Sequence, residues 1–279
     1  MGVYTTMDSR FPVNGLLLVL VFFTAFSGCT STAAQPDIPA PVHETPVAAE
    51  KSSPTEMEIV SHPTAIPSQD VADQLAAVKS DNPVWREAYR MYLNMNSTEY
   101  VPPPYMVDDA AGIYRFDCLG FVDQVLTNVD PAGYQEIGEG GTPSIESYAA
   151  YFNKLDTTTP DVMGWTKVDR SMDLKPGDVC LWLKPRTLDN GHMWIIAGEP
   201  QVNPKRSSEV LVRVFDSSKA HSDDSRTGSA CPLGLGSGIL WMMVDPTGSP
   251  IGLYWDGGMS PAGEKNTIIV CGRLDRQVK

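Results

Sequence analysis

The spacing of the apolar residues changes once along this chain, and the change falls at Leu174-Lys175-Pro176-Gly177-Asp178. Ahead of this turn signal, apolar side chains recur three and four residues apart, as amphipathic helices require. Asn82 followed by Pro83 reads as the cap and first turn of a helix whose packed stripe is Trp85, Ala88, Tyr89, Tyr92 and Leu93. Asp117 caps a second helix that buries Phe121, Val122, Val125 and Leu126, and Thr142-Pro143-Ser144 opens a third through Ile145, Tyr148, Ala149 and Phe152. Asn96 to Tyr114, rich in Pro and Tyr, reads as a loop. Behind the turn the runs are of strand type: Val179 to Leu183, His192 to Ala197, Val210 to Phe215, Ile239 to Val244 and Thr267 to Leu274. Gly234-Leu235-Gly236-Ser237-Gly238 reads as a loop before the fourth of these, and not as a phosphate cradle, because no helix start follows. Trp241, Tyr254 and Trp255 belong either to the core or to a cleft wall. Helices first and a mostly antiparallel sheet after them make an α+β fold.

The first ten residues carry Arg10, an apolar run from Leu16 to Phe23 follows, and Ser27-Gly28 precede Cys29, so residues 1–28 read as an export signal too short to span a bilayer. Residues 29–68 are dominated by Pro, Ala, Thr, Ser and Glu, a composition that cannot bury enough apolar surface to offset chain ordering, and they read as a flexible tether. His43 and His62 within it are expected to face solvent. Residues 69–279 are enough for one domain with its own core. The net charge of −13, unchanged by removal of the leader because Asp8 and Arg10 cancel, argues against nucleic acid or anionic lipid as a charge-driven partner. No CxxC pair occurs, so no zinc site is expected, and neither another metal nor a cofactor. Cys180 and Cys271 lie in strand-like runs and read as core. With Cys231 they make three, which cannot all pair, and a disulfide among them stays open.

Cys118 is the candidate nucleophile. It follows the capping Asp117 at the first turn of its helix, where the macrodipole best tolerates negative charge on sulfur. Taken alone it would be a small buried core residue, the common lot of a free cysteine. His192 opens an apolar run and Asp216 ends another, and together the three offer nucleophile, base and orienter. His221 is the second choice for the third position.

Three elements in this order resemble the NlpC family of papain-like cell-wall cysteine peptidases: Asp-Cys-x-Gly-Phe-Val at Asp117 to Val122, Leu-Lys-Pro-Gly-Asp at Leu174 to Asp178, and Gly-His at Gly191-His192. An export signal ending Ser-Gly-Cys is similar to a bacterial lipobox. The resemblances imply a papain-like domain, hydrolysis of peptidoglycan stem peptides through Cys118, His192 and Asp216, and lipidation of Cys29. They imply a monomer held at the cell envelope, on the periplasmic face of the outer membrane. A tyrosine ahead of the cysteine commonly lines the site in this family, and Tyr100 and Tyr105 are the candidates. Two positions depart from the family pattern: Leu119 stands where serine is usual, and Asp216 where the third residue is often histidine. Asp108, Asp109, Arg115 and Asp123 lie near the cysteine in sequence and are candidate anchors for the charged ends of a stem peptide. Three alternatives stay open: endopeptidase against amidase cleavage, an amine in place of water as acceptor, as in a transglutaminase-like acyltransferase, and a lipoprotein that grips the wall without cutting it.

Overall fold

The computed structural model describes residues 69–184, 191–229, 231–255, 264–265 and 267–275. The export signal, Cys29 and the tether lie outside the described residues. The chain order is α1 (Gln69–Ala76), α2 (Pro83–Asn94), β1 (Ser97–Glu99), β2 (Met106–Asp108), β3 (Ile113–Arg115), α3 (Cys118–Val129), α4 (Pro131–Ile137) and α5 (Ile145–Lys154), and then β4 (Trp165–Val168), β5 (Val179–Leu183), β6 (Gly191–Ile196), β7 (Gln201–Asn203), β8 (Arg206–Lys219), β9 (Leu233–Val244), β10 (Pro250–Tyr254), β11 (Glu264–Lys265) and β12 (Ile268–Leu274). The architecture is α+β, with helices preceding a large antiparallel sheet ordered β11-β10-β9-β8-β6-β5-β12-β4 and β7 paired beside β8.

Helix α2 begins where its cap requires: the Asn82 side chain accepts from the Val84 and Trp85 amides, and Pro83 occupies the first turn, where its missing N–H costs nothing. Its buried face is Val84, Trp85, Ala88, Met91 and Tyr92, whereas Leu93 is 54% exposed. The packed stripe therefore runs to the other side of Trp85 from the one expected. Helix α1 buries only Val71 and Leu75, too few apolar residues to declare a helix from sequence.

The sheet is buried on both faces. Val179 and Leu181 of β5, Met193 and Ile195 of β6 and Phe215 of β8 pack with Trp85, Phe121, Val122 and Leu126 of the helices. The alternate residues Cys180, Trp182, Trp194, Ile196, Val212 and Val214 form a second core with Leu240, Met242 and Leu253. β10 also approaches β12, so the sheet curls around this second core. Burial of both faces is why these strands read as near-continuous apolar runs and not as alternating ones. Cys180 and Cys271 stand directly opposite each other on β5 and β12 and are joined by a disulfide, in which neither Cys118 nor Cys231 takes part.

Two expectations are corrected. The segment from Asn96 to Tyr114 is not simply a loop: β1 pairs parallel and β2 antiparallel with β3 in a small sheet of three-residue strands, too short to show a period. The glycine run from 234 to 238 is part of β9, paired with β8 along its whole length. A Cβ on Gly236 would come within 2.5 Å of Arg226 and one on Gly238 within 2.2 Å of Asp224, so the glycines make room for a charged segment lying across the strand.

Candidate active site

The cysteine helix starts on a local device legible in sequence. Asp117 is extended (φ −84°, ψ −172°), and its Oδ1 accepts the Gly120 amide at 2.8 Å. Cys118 is the first helical residue and is 4% exposed. The Tyr105 hydroxyl donates to the same Asp117 Oδ1 at 2.7 Å, and its ring lies so close to Gly120 that a Cβ there would meet it at 2.6 Å. Burial and this bond hold the Tyr105 phenol in its protonated form. Tyr105 is thus seated on the cysteine helix, while Tyr100 stands 43% exposed beyond β1.

His192 comes from β6 and Asp216 from β8, neighbouring strands that pair Ile195 with Phe215 and Ile196 with Val214. His192 shares a strand face with Trp194 and Ile196, and Asp216 shares one with Val212 and Val214, so strand alternation directs both to the same side. There His192 Nε2 donates to Asp216 Oδ2 at 2.7 Å. That bond commits Nε2, leaving Nδ1 for the thiol, and Cys118 lies within hydrogen-bonding reach of the ring. Complete burial pulls the imidazole toward neutrality, but the charge on Cys118 and the bonds to Asp216 and Cys118 outweigh it and push His192 up to about 9. The three residues singled out from sequence are therefore brought together. His221 also belongs to the cluster, with its Nε2 2.7 Å from the same Asp216 Oδ2.

Asp216 is fully buried and holds its charge. Desolvation alone would raise it, yet His221, Arg226 and the two imidazole bonds keep it well below the carboxylate range. Arg226 was not visible in sequence as a site residue. Its guanidinium reaches Asp216 Oδ1 at 2.9 Å, both oxygens of Asp224 at 2.8 and 2.6 Å, and the Gly234 carbonyl at 2.9 Å. No local spacing announces such an assembly, because its members are set by the path of the segment between β8 and β9. Trp255 sits against both imidazoles, stacked on His221 at 5.0 Å between centroids and edge-on to His192 at 4.8 Å. Trp255 thus takes both roles left open for it, lining the site and packing against the second core.

His192, Asp216 and His221 are also the cluster among the described residues whose ligand atoms, all within 4.8 Å of one another, could surround a cation. The Arg226 guanidinium on the other oxygen of Asp216 opposes that use, since a cation there would face a fixed positive charge. A separate cavity of about 900 Å³, lined by residues including Arg206, Glu209, Met243 and Tyr254, contains neither the thiol nor a histidine.

Asp123, about one and a half turns along from the cysteine, is one of the candidate anchors near it in sequence. It is 8% exposed and accepts the Tyr148 hydroxyl at 2.7 Å. Burial, only partly offset by the bonds from Tyr148 and Tyr134, raises its carboxyl to about 7. A carboxyl raised on folding takes up a proton relative to the unfolded chain between about pH 4 and 7, so it erodes stability as pH rises through that window. Asp123→Asn is expected to gain on the order of 2–4 kcal/mol relative to wild type between pH 5 and pH 8, read by urea unfolding at both values. An equal difference at both would mean the carboxyl titrates normally.

No protein-family profile, curated protein or solved structure matches this chain, so its chemistry is read from this geometry alone.

Proposed function

We propose that this protein is a cysteine peptidase of papain-like, NlpC type that hydrolyses peptide bonds in peptidoglycan stem peptides. The observation that carries the reading is the order of contacts: a thiol at a helix N-terminus, an imidazole beside it held through its far nitrogen, and a buried, charged carboxylate behind the imidazole. Cys118 gives its proton to His192 Nδ1, and the thiolate attacks the peptide carbonyl. The imidazolium then protonates the leaving amine, and a water activated by the same ring releases the acyl group from sulfur. On this reading the amide of Cys118, at the first turn, is the main-chain donor for the developing oxyanion charge. Leu119 in the usual serine position does not touch this, because the donor is main chain.

An exported, lipid-anchored location fits the leader and Cys29, and the oxidised pair Cys180–Cys271 suits an oxidising compartment.

The test is product analysis. Muropeptides incubated with the full chain are expected to yield a new amine and a new carboxylate of matching mass, and the bond broken identifies endopeptidase or amidase. With millimolar glycinamide added, a product carrying that amine would shift the assignment to acyl transfer, and retention of intact muropeptide on the protein would make it a binding lipoprotein. The pH profile is a second check. The reactive pair needs the imidazolium, which is lost as pH rises through about 9, so kcat/KM is expected to fall roughly tenfold per pH unit above that value. A limb near 7 would contradict the pairing.

A further inference from the structure

We propose that His221 is a positioning residue of this site, acting through Asp216 to fix the tautomer and the angle of His192. The inference rests on the reading of Cys118 and His192 as the reactive pair. Its basis is that two imidazoles, from β6 and from the segment after β8, address one carboxylate oxygen, each with Nε2 at 2.7 Å from Asp216 Oδ2.

An ionised carboxylate only accepts, so both Nε2 atoms carry protons. The neighbouring groups fix this further. The Ser218 hydroxyl donates to the Lys219 carbonyl at 2.7 Å, which leaves its oxygen to accept from His221 Nε2 at 3.1 Å and from Arg226 at 3.1 Å. Arg226 also saturates Oδ1 of Asp216, at 2.9 Å. The carboxylate is thereby held by three donors and can neither rotate nor take the proton of His192. The other charged and titratable groups facing His221 are Asp224, whose Oδ2 accepts the His221 amide at 2.8 Å, and His192 itself, and the ring is stacked on Trp255. Among the described residues the remaining His221 nitrogen, Nδ1, is buried without a hydrogen-bond partner. A buried imidazole left half-satisfied is a cost the fold carries, and its one strong bond is the one to Asp216.

Because His192 and His221 draw on the same oxygen, removing His221 gives His192 the whole of that lone-pair region. The imidazolium of His192 is then better held but less well aimed. Two consequences separate positioning from mere support of the fold. First, kcat falls about 10- to 100-fold, the range commanded by groups that orient a working imidazole, with KM changed less than about threefold. Second, the alkaline ionisation of the Cys118–His192 pair moves upward.

The experiment is the rate of Cys118 alkylation by iodoacetamide from pH 5 to 10.5 in the full-length chain, followed by peptide mass spectrometry. It is run beside muropeptide turnover for wild type, His221→Leu and His221→Gln. Gln places an amide N–H near the position of Nε2 and is expected to restore both the rate and the ionisation, whereas Leu displaces the ionisation upward by at least about half a pH unit. If His221→Leu does not fold, His221→Asn, whose amide stops short of Oδ2, takes its place with the same expectation. An unmoved ionisation and unchanged kcat in the Leu or Asn variant would overturn the positioning role while leaving the peptidase reading intact. A wild-type Cys118 that alkylates no faster than Cys231 would remove the reading and the proposal together. One zinc ion per purified wild-type chain, lost in His221→Leu, would make these residues a metal site and overturn the proposal.

Discussion

Cys118→Ala lowers muropeptide turnover by at least about 10³-fold, the loss expected when a nucleophile is removed and only binding and oxyanion contacts remain. The fold survives, because the change deletes one sulfur from a position fixed by the Asp117 cap and by the apolar face of Phe121, Val122, Val125 and Leu126. Melting temperature is therefore expected to stay within about 3 °C of wild type, less than about 1.5 kcal/mol for a domain of this size. The same variant carries an electrostatic signature. The charge on Cys118 is the leading influence that holds the buried His192 imidazole protonated up to about 9, against the desolvation that opposes it. In Cys118→Ala that influence is gone, and the His192 ring proton followed by NMR is expected to titrate at lower pH. Cleavage that persists in the variant would sink the mechanism. A His192 titration that does not move would show that sulfur and imidazole are not a pair.

Arg226→Met is expected to be the most destabilising single change in the site, by about 3–5 kcal/mol, since it leaves buried carboxylates without their counter-ion. Arg226 is 2% exposed, and Asp216 and Asp224 on either side of it are 0% and 5% exposed. Removing it strips Asp216 Oδ1 and both oxygens of Asp224 of their charged donor and frees the Gly234 carbonyl as well. Methionine fills much of the volume but returns none of these bonds, and on Gly236 the space shaped for the guanidinium is left lined by polar atoms. At roughly 2–4 °C per kcal/mol for a chain this long, the melting temperature should drop by about 6–20 °C. A drop under about 2 °C would mean that the charges in this cluster are solvated and that Asp216 is not held in place by it. Arg226→Lys separates charge from geometry: a point charge cannot reach both carboxylates in a fork, so it should recover only part of the loss.

Much of the site could be read from neighbouring residues. The Asp117 cap, the position of Cys118 on the first turn and the packed face behind it are all encoded within a dozen residues, and the structure has them as expected. Asn82 and Pro83 start α2 in the same way, and Ser144 starts α5 by accepting the Ser147 amide. The strands of β5 and β6 announced themselves as apolar runs with Gly or Pro close to either end, and β12 as an apolar run alone. Reading failed where the cause lay elsewhere in the fold. The glycines at 234, 236 and 238 look like a loop until Thr98, Arg226 and Asp224 are seen to occupy the space their side chains would take. The strands near Tyr105 are three residues each, paired with one another and set against β9, where Thr98 accepts the Leu235 amide. Nothing in the residues around Asp123 marks it as buried; tertiary packing desolvates it and brings the Tyr148 and Tyr134 hydroxyls to its carboxyl.

The sequence by itself determined which side chains are chemically capable, an Asp-capped cysteine, a histidine opening a strand and a carboxylate closing another, because capping and strand alternation are local rules. Tertiary structure alone decided the rest: that His192 and His221 share one oxygen of Asp216, that Arg226 holds the other, and that Cys180 meets Cys271. Those choices depend on the registers of β5, β6, β8, β9 and β12, and register is fixed by which faces bury apolar surface across the whole sheet.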